Sequence, residues 1–444
     1  MFSKMQTERN FGDDRDATLR LIDWFDIERV HTASVLVVGA GAIGNEVLKL
    51  LALLGFGRVY ILDKDNIEPA NLSRSILFRS RDCGSGKAET AARAVADINP
   101  SVRAFWLQGE IGANLGEGLI REMGVVIGCL DNPEARFVLN RLCRRAGRPW
   151  VDAGISTMSG QVRVFEPGGP CFECSFSPSD YNSLGVGGLP CDVVWRGLVA
   201  LGHVPTTPTM ASLVAAVQVQ ECLKLLDPGA WRSRTLGGRQ FNFHGTTCEA
   251  GVSGLRFRAD CHAHVDIVAA EVVALSGVTA SHTVRALLGA ARGLPGVALT
   301  SLYLAVVPGP GAMGDDVATG LRCPCGAFTE VCFPVRDLGR RLRAGEVACS
   351  CGGVQFRWGS QLERTNKVTA SSPQRLLDAR LVDIGIPNMG FVMVLGPDGA
   401  ERVLQLDADG PDMGFRAAEG LEGRTVTAVA GFGRVSGGGR CLIS

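Results

Sequence analysis

Ser34-Val-Leu-Val-Val-Gly39-Ala-Gly41-Ala-Ile-Gly44 reads as a strand, a tight turn and the opening of a helix. Ser34–Val38 is an apolar, β-branched run of the kind buried on both faces of a parallel sheet. The three glycines fall at the spacing G-x-G-x-x-G, which permits a sharp turn and close backbone approach to a phosphate at the helix N-terminus. Ile43–Leu54 has helical composition, and Gly57–Leu62 returns to strand. Further along, Lys87–Ile98 reads as a helix stopped by Asn99-Pro100, Val125–Cys129 as a strand, Pro133–Arg145 as a helix with proline in its first turn, and Pro149–Ala153 as a strand. The alternation predicts an α/β fold, a doubly wound and mostly parallel sheet with its ligand crevice beyond the carboxyl ends of the strands.

A chain of 444 residues is too long for one ordinary core, so two domains are expected. The 45 basic and 45 acidic residues balance, which argues against a nucleic-acid binder. The run Arg141-Leu-Cys-Arg-Arg145 is expected to be a solvated helix face. The first residues hold no apolar run resembling a secretory signal, and Val47–Leu62 and Leu294–Val307 are too short or interrupted to span a bilayer. A cytoplasmic protein without a membrane partner is expected. In that reducing compartment, 15 cysteines point to metal ligands or a reactive thiol rather than disulfides.

The glycine turn fits NAD or FAD as well as ATP, and Asp63, ending the second strand, suits a ribose hydroxyl in any of them. The run Asp63-Lys-Asp65-Asn-Ile-Glu-Pro-Ala-Asn71-Leu-Ser-Arg74, then Gly86-Lys87 and Asp131-Asn132, favours ATP. Hydride transfer has no use for such a charged set, whereas adenylation does. When a carboxylate attacks an α-phosphate, negative charge grows on phosphorus and on departing pyrophosphate, and fixed cations and Mg²⁺ must meet it. Arg74 and Lys87 can supply positive charge, and Asp131 can hold Mg²⁺. Lys87 is not a P-loop lysine, because Ala88 follows it.

In this order, G-x-G-x-x-G, D-x-D, N-L-x-R, G-K and D-N resemble the ThiF/MoeB family of adenylating proteins, which includes the adenylation domains of ubiquitin-activating enzymes. The resemblance implies that Asp63 and Asn71 bind the ribose and nearby nucleotide atoms, that Arg74 and Lys87 contact phosphates, and that Asp131 positions Mg²⁺, with Asp65 of the D-x-D a further cofactor-binding candidate. It also implies that an N-terminal arginine, best matched by Arg15, reaches across a homodimer or pseudo-dimer interface, and a homodimer is expected here. One departure is Ser75, where the family usually has glutamine.

The cysteines divide by spacing. Cys171-Phe-Glu-Cys174 and Cys261-His-Ala-His264 supply four S/N ligands for a closed structural Zn²⁺ site, with His262 the alternative nitrogen. The resemblance implies paired cysteines at the same places. Cys323-Pro-Cys325-Gly and Cys349-Ser-Cys351-Gly look like the knuckles of a zinc ribbon over 321–358. Cys191, in the Gly/Pro-rich loop from Cys171 to Pro208, is the candidate thioester acceptor, and Cys83 the runner-up.

The expected organisation is therefore an adenylation domain over 1–270 and a smaller β-rich module over 271–444, in which Leu381–Leu406 reads as a hairpin. The expected reaction is adenylation of the C-terminal glycine of a ubiquitin-like protein, followed by transfer to Cys191 and on to a conjugating enzyme. A sulfur-carrier adenylyltransferase without its own thioester and an NAD-dependent oxidoreductase are the rival readings.

Overall fold

The computed structural model describes residues 14–176, 206–231, 234–261, 263–264, 272–294, 301–304, 316–323, 325–338, 341, 344–347, 349, 361–395, 401–410 and 413–418. After a short helix, α1 (Ile27–Thr32), the chain enters β1 (Ser34–Val38), α2 (Ala42–Leu54), β2 (Arg58–Asp63), α3 (Lys87–Ile98) and β3 (Arg103–Gln108). Two short helices, α4 (Ile111–Asn114) and α5 (Glu117–Arg121), lead to β4 (Val125–Gly128), α6 (Pro133–Ala146), β5 (Trp150–Ile155) and β6 (Ser159–Phe165). The long helix α7 (Pro208–Leu226) precedes the hairpin β7 (Arg239–His244) and β8 (Glu249–Gly254).

Strands β3, β2, β1, β4 and β5 lie parallel in that spatial order, so the winding direction reverses between β1 and β4. Val38 pairs with both Leu62 and Gly128, which aligns the carboxyl ends of the central strands and brings their loops out along one edge. The two faces of β1 divide cleanly. Val35 and Val37 pack with α2, α3 and α7, through residues such as Leu48, Ala92 and Val214. Leu36 and Val38 pack with α5 and α6, through Leu119 and Leu139. Each of these side chains is almost wholly removed from water, at about 1.5–3 kcal/mol per large aliphatic group.

Local chemistry sets the helix ends. The Asn132 side chain accepts from Ala135 N at 2.8 Å and Thr207 from Met210 N at 3.3 Å, each directly before a proline at the first helical position. Helix α7 is long and apolar enough to cross a membrane, with a mean hydropathy of 1.2. Here it packs against β5 and β6, and its buried Gln218 donates to Gly128 O at 2.9 Å and Val151 O at 3.2 Å.

The Arg141–Arg145 run is not a solvated face. Arg141 grips the fully buried Glu173 at 2.9 Å, and Arg145 pairs with Glu117 at 3.0 Å. Removing either partner of such a pair is costly, because the charge left behind is buried without compensation.

The remainder is richer in β structure. Strands β9 (Val273–Leu275), β10 (Ser301–Tyr303), β14 (Lys367–Val368), β15 (Phe391–Leu395) and β16 (Glu401–Leu406) form a five-stranded sheet covered by α8 (Val284–Arg292). The antiparallel pair β15–β16 is the hairpin expected within Leu381–Leu406. Strands β11 (Val317–Arg322), β12 (Phe328–Pro334) and β13 (Gln361–Thr365) form a separate three-stranded sheet. The chain then returns to the first sheet, where β17 (Arg416–Ala417) pairs antiparallel with β3. Phe415 stacks edge-on against Tyr60 at 5.3 Å, and Gly118 N donates to Met389 O at 3.0 Å.

Candidate active site and sulfur clusters

The loops at the carboxyl edge of the sheet enclose a cleft of about 1070 Å³. It lies where the winding reverses, with Val38 and Gly39 on one side and Cys129 to Asn132 on the other, as open α/β sheets require of a ligand site. The three glycines of the turn do different work. Gly39 has φ +98°, and a Cβ there would sit 2.4 Å from Cys129 O. A Cβ on Gly44 would sit 2.0 Å from Gly39 O, so its absence lets α2 pack onto the turn. Gly41 caps α2 from inside the cleft, and a Cβ there would meet nothing within 4 Å. The open space before a helix N-terminus fits a phosphate group.

Asp63 braces the turn. Its carboxylate accepts from Ala40 N at 2.6 Å and Asp65 N at 2.8 Å. Burial pushes its carboxyl above the usual range, against those two bonds and the nearby Lys87 charge. Asn71 accepts from Glu68 N at 2.9 Å, which folds the 68–71 turn and places Arg74 one turn further on. Arg74 Nη1 donates to Ala70 O at 2.6 Å. Lys87 begins α3, and its Nζ lies 3.0 Å from Asp65 Oδ2 with its side chain only 13% exposed. Asp131 is exposed and accepts from Asn132 Nδ2 at 3.2 Å.

Gly39, Gly41, Asp63, Asp65, Asn71, Arg74, Lys87 and Asp131 all line this one cleft, and so does the buried Ser75. Residues up to 92 positions apart (39 to 131) are thereby brought to a common space. Arg15 is exposed and is not among the lining residues. Cys191 lies outside the described residues, as does His262. Cys83 is exposed and likewise does not line the cleft.

Other lining residues had no readable signal. Gln161, Asn242 and His244 come from the antiparallel strands β6 and β7, and Asp337 comes from the far half of the chain. Arg136 also lines the cleft. It donates to Asp152 Oδ1 at 2.8 Å and to Leu130 O and Ala153 O, while Arg163 holds the other carboxylate oxygen of the fully buried Asp152. This two-arginine clasp ties the β4–α6 loop to β5.

Cys171, Cys174, Cys261 and His264 converge, with all four ligand atoms within 4.8 Å of one another. Cys171 Sγ is 3.8 Å from Cys174 Sγ and 3.7 Å from Cys261 Sγ, and Cys174 Sγ is 3.2 Å from His264 Nε2. A tetrahedral ion with Zn–S bonds near 2.3 Å sets sulfurs about 3.8 Å apart, so the donor set fits Zn²⁺. Glu173, between the first two cysteines, is held by Asn140 and Arg141 and fixes the knuckle on α6. A second cluster joins Cys323, Cys325 and Cys349, and Cys351 lies outside the described residues.

The sequence profile of the ThiF family matches residues 14–263, and the chain belongs to this family. It is 30% identical over 242 residues to the adenylyltransferase and sulfurtransferase MOCS3 of Drosophila willistoni, covering 53% of this chain and 49% of that protein. It is 32% identical over 198 residues to the SAMP-activating enzyme E1 of Haloferax volcanii, covering 45% of this chain and 68% of that one. Over 149 residues it is 38% identical to the SUMO-activating enzyme subunit 2 of Dictyostelium discoideum, covering 33% of this chain and 22% of the other. The chain thus spans about half the length of the MOCS3 relative. The solved structure of E. coli MccB is 19% identical, covers 57% of this chain and 73% of its own, and superposes with a TM-score of 0.46.

Proposed function

We propose that this chain adenylates the C-terminal glycine of a ubiquitin-like or sulfur-carrier protein with ATP. The observation that carries the reading is the convergence of Gly41, Asp63, Arg74, Lys87 and Asp131 on one cleft at the reversal point of the sheet. Asp63, Asp65 and Asn71 bind the ribose side of the nucleotide, and the glycine turn admits its phosphates. Asp131 would hold Mg²⁺, which supplies charge neutralisation at the triphosphate. A carboxylate oxygen of the carrier attacks the α-phosphorus, and the bond to the bridging oxygen of pyrophosphate breaks. No proton moves, because the nucleophile is already an anion. Arg74 and Lys87 meet the charge that develops. Arg15 acts from a second copy of the chain in a homodimer.

In the full reaction, the Cys191 thiolate next attacks the acyl carbon, AMP departs, and the resulting thioester passes the carrier to a conjugating enzyme. The names of the relatives, which include a sulfurtransferase and modifier-activating enzymes, keep a second reading open in which the adenylate goes to a sulfur donor. The Cys171–His264 cluster would hold Zn²⁺ in a structural role. The domain division at 270 is part of the same proposal. So is a cytoplasmic location, to which the twelve described cysteines, none of them in a disulfide, lend support.

Carrier-dependent exchange of labelled pyrophosphate into ATP is the decisive measurement. Exchange in the wild type and its loss in Lys87→Ala support adenylation, while exchange that survives Lys87→Ala together with Asp131→Ala overturns the site assignment. A carrier adduct on non-reducing gels that Cys191→Ala abolishes would establish the thioester route. An adduct-free enzyme that still exchanges pyrophosphate would favour the sulfur-carrier reading.

A further inference from the structure

Asn45 follows the last glycine of the turn, in the opening of α2, and is wholly buried. A buried amide is costly unless its donors and acceptor are matched, and here they are. Asn45 Nδ2 donates to Ala40 O at 2.8 Å and to Gly41 O at 3.1 Å, while Asn45 Oδ1 accepts from Leu77 N at 2.8 Å. Two carbonyls on one side and an N–H on the other leave a single orientation for the amide, since the reverse would set oxygen against oxygen.

The donor half of this amide acts on the glycine turn. In a trans peptide the C=O and the N–H that follows it point in opposite directions. With Ala40 O and Gly41 O drawn to Asn45, the N–H groups of Gly41 and Ala42 are turned away from it. Both residues line the cleft, and the first N–H groups of a helix have no partner within it. Asp63 closes the bracket by accepting from Ala40 N at 2.6 Å, so Ala40 is held at its N–H and its C=O alike. The acceptor half acts 32 positions away. Leu77 and Phe78 are buried in the same apolar cluster as Val47 and Leu48 of α2. The bond to Leu77 N ties to Asn45 the segment that carries Arg74 and Ser75, both of which line the cleft.

We propose that Asn45 is a positioning residue that sets the Gly41 and Ala42 N–H groups and the Arg74 guanidinium at a fixed spacing around one polyphosphate. It touches no substrate itself. Its effect passes through two peptide planes and one loop, which otherwise belong to separate parts of the cleft wall. Donors that need no rearrangement when charge arrives stabilise it most, and a single buried side chain supplies that order here. The inference rests on the reading that the cleft takes ATP.

The test uses the full chain, with binding of ATP, inorganic tripolyphosphate and adenosine measured by titration calorimetry. Asn45→Ala should lower the affinity for ATP and for tripolyphosphate by about 10- to 100-fold, the range for hydrogen bonds to a charged group. Adenosine, which carries no phosphate, should bind as it does to wild type. A merely structural role would weaken all three together. Asn45→Ser keeps one donor within the turn but is too short to hold Leu77 N, and it should show the same pattern with a smaller loss. Should Asn45→Ala fail to fold, Asn45→Ser decides by the same comparison. Unchanged ATP affinity in the folded variant, or an equal loss for adenosine, overturns the role of Asn45 and leaves the nucleotide site standing. A wild type that binds none of the three overturns the nucleotide reading, and the inference with it.

Discussion

Glycine at position 44 and glycine at position 41 share a motif but answer to different forces. A methyl group on Gly44 would meet Gly39 O at 2.0 Å, inside a turn already fixed by Asp63. Gly44→Ala should therefore destabilise the fold by about 1–3 kcal/mol, the usual cost of overpacking, visible as a lower midpoint in urea. Gly41→Ala meets no neighbour, so its melting temperature should stay close to wild type while ATP affinity falls. Equal loss of stability in both would contradict this division. Lys87 is poised by its ion pair to Asp65, at 3.0 Å. Lys87→Ala should lower carrier-dependent pyrophosphate exchange by about 100- to 1000-fold, the range for losing one transition-state contact, with circular dichroism unchanged. The motif residues were readable because each is a chemical type at a fixed offset from a strand end. Arg136 was not, because an arginine four residues after Asn132 looks like any helix-surface charge until Asp152 is seen buried beside it.

At the scale of elements, the cleft depends on loops held by buried ion pairs. Asp152 is fully buried between Arg136 and Arg163, at 2.8 and 2.5 Å. Removing one partner leaves two cations facing each other in a dry space, so Asp152→Ala should cost about 3–5 kcal/mol. Chemical denaturation checks this, and a change below 1 kcal/mol would show that the clasp is solvated. The knuckle at Cys171–Cys174 is anchored on α6 through Glu173. Cys261→Ser should lose zinc from this site and lower the melting temperature, and metal analysis beside a thermal scan will report both. The alternation of α2, β2, α3, β4, α6 and β5 was legible because apolar periodicity and caps are local properties. Strand β3 and the antiparallel β6, β7 and β8 were not. Arg103–Gln108 mixes charged and aromatic residues, and β8 is exposed along its whole length, so neither carries the apolar signature of a buried strand.

The whole molecule is knitted together at the edge of the large sheet, where the last described strand, β17, covers β3. Phe415 is 5% exposed and packs in the same apolar cluster as Leu36 and Tyr60. Phe415→Ala should then destabilise the first sheet by about 3–5 kcal/mol, the cost of an aromatic-sized cavity, although it lies more than 300 positions from Tyr60 (415 against 60). Hydrogen exchange along β2 and β3 would rise in this variant, and exchange confined to the C-terminal half would refute the coupling. A cross-subunit role for Arg15 predicts that inactive Arg15→Ala and Lys87→Ala chains regain part of their exchange activity when mixed. From its sequence alone this protein declared a doubly wound sheet, a glycine turn between strand and helix, a charged set that gathers in one cleft and two groups of converging sulfurs. Those follow from residue type and spacing, which the chain carries with it. Only tertiary structure decided that Asp337 reaches the cleft, that Arg136 and Arg163 share Asp152, and that the tail completes the first sheet. These contacts join positions far apart in the chain, through side chains whose local surroundings do not distinguish them from ordinary surface charges.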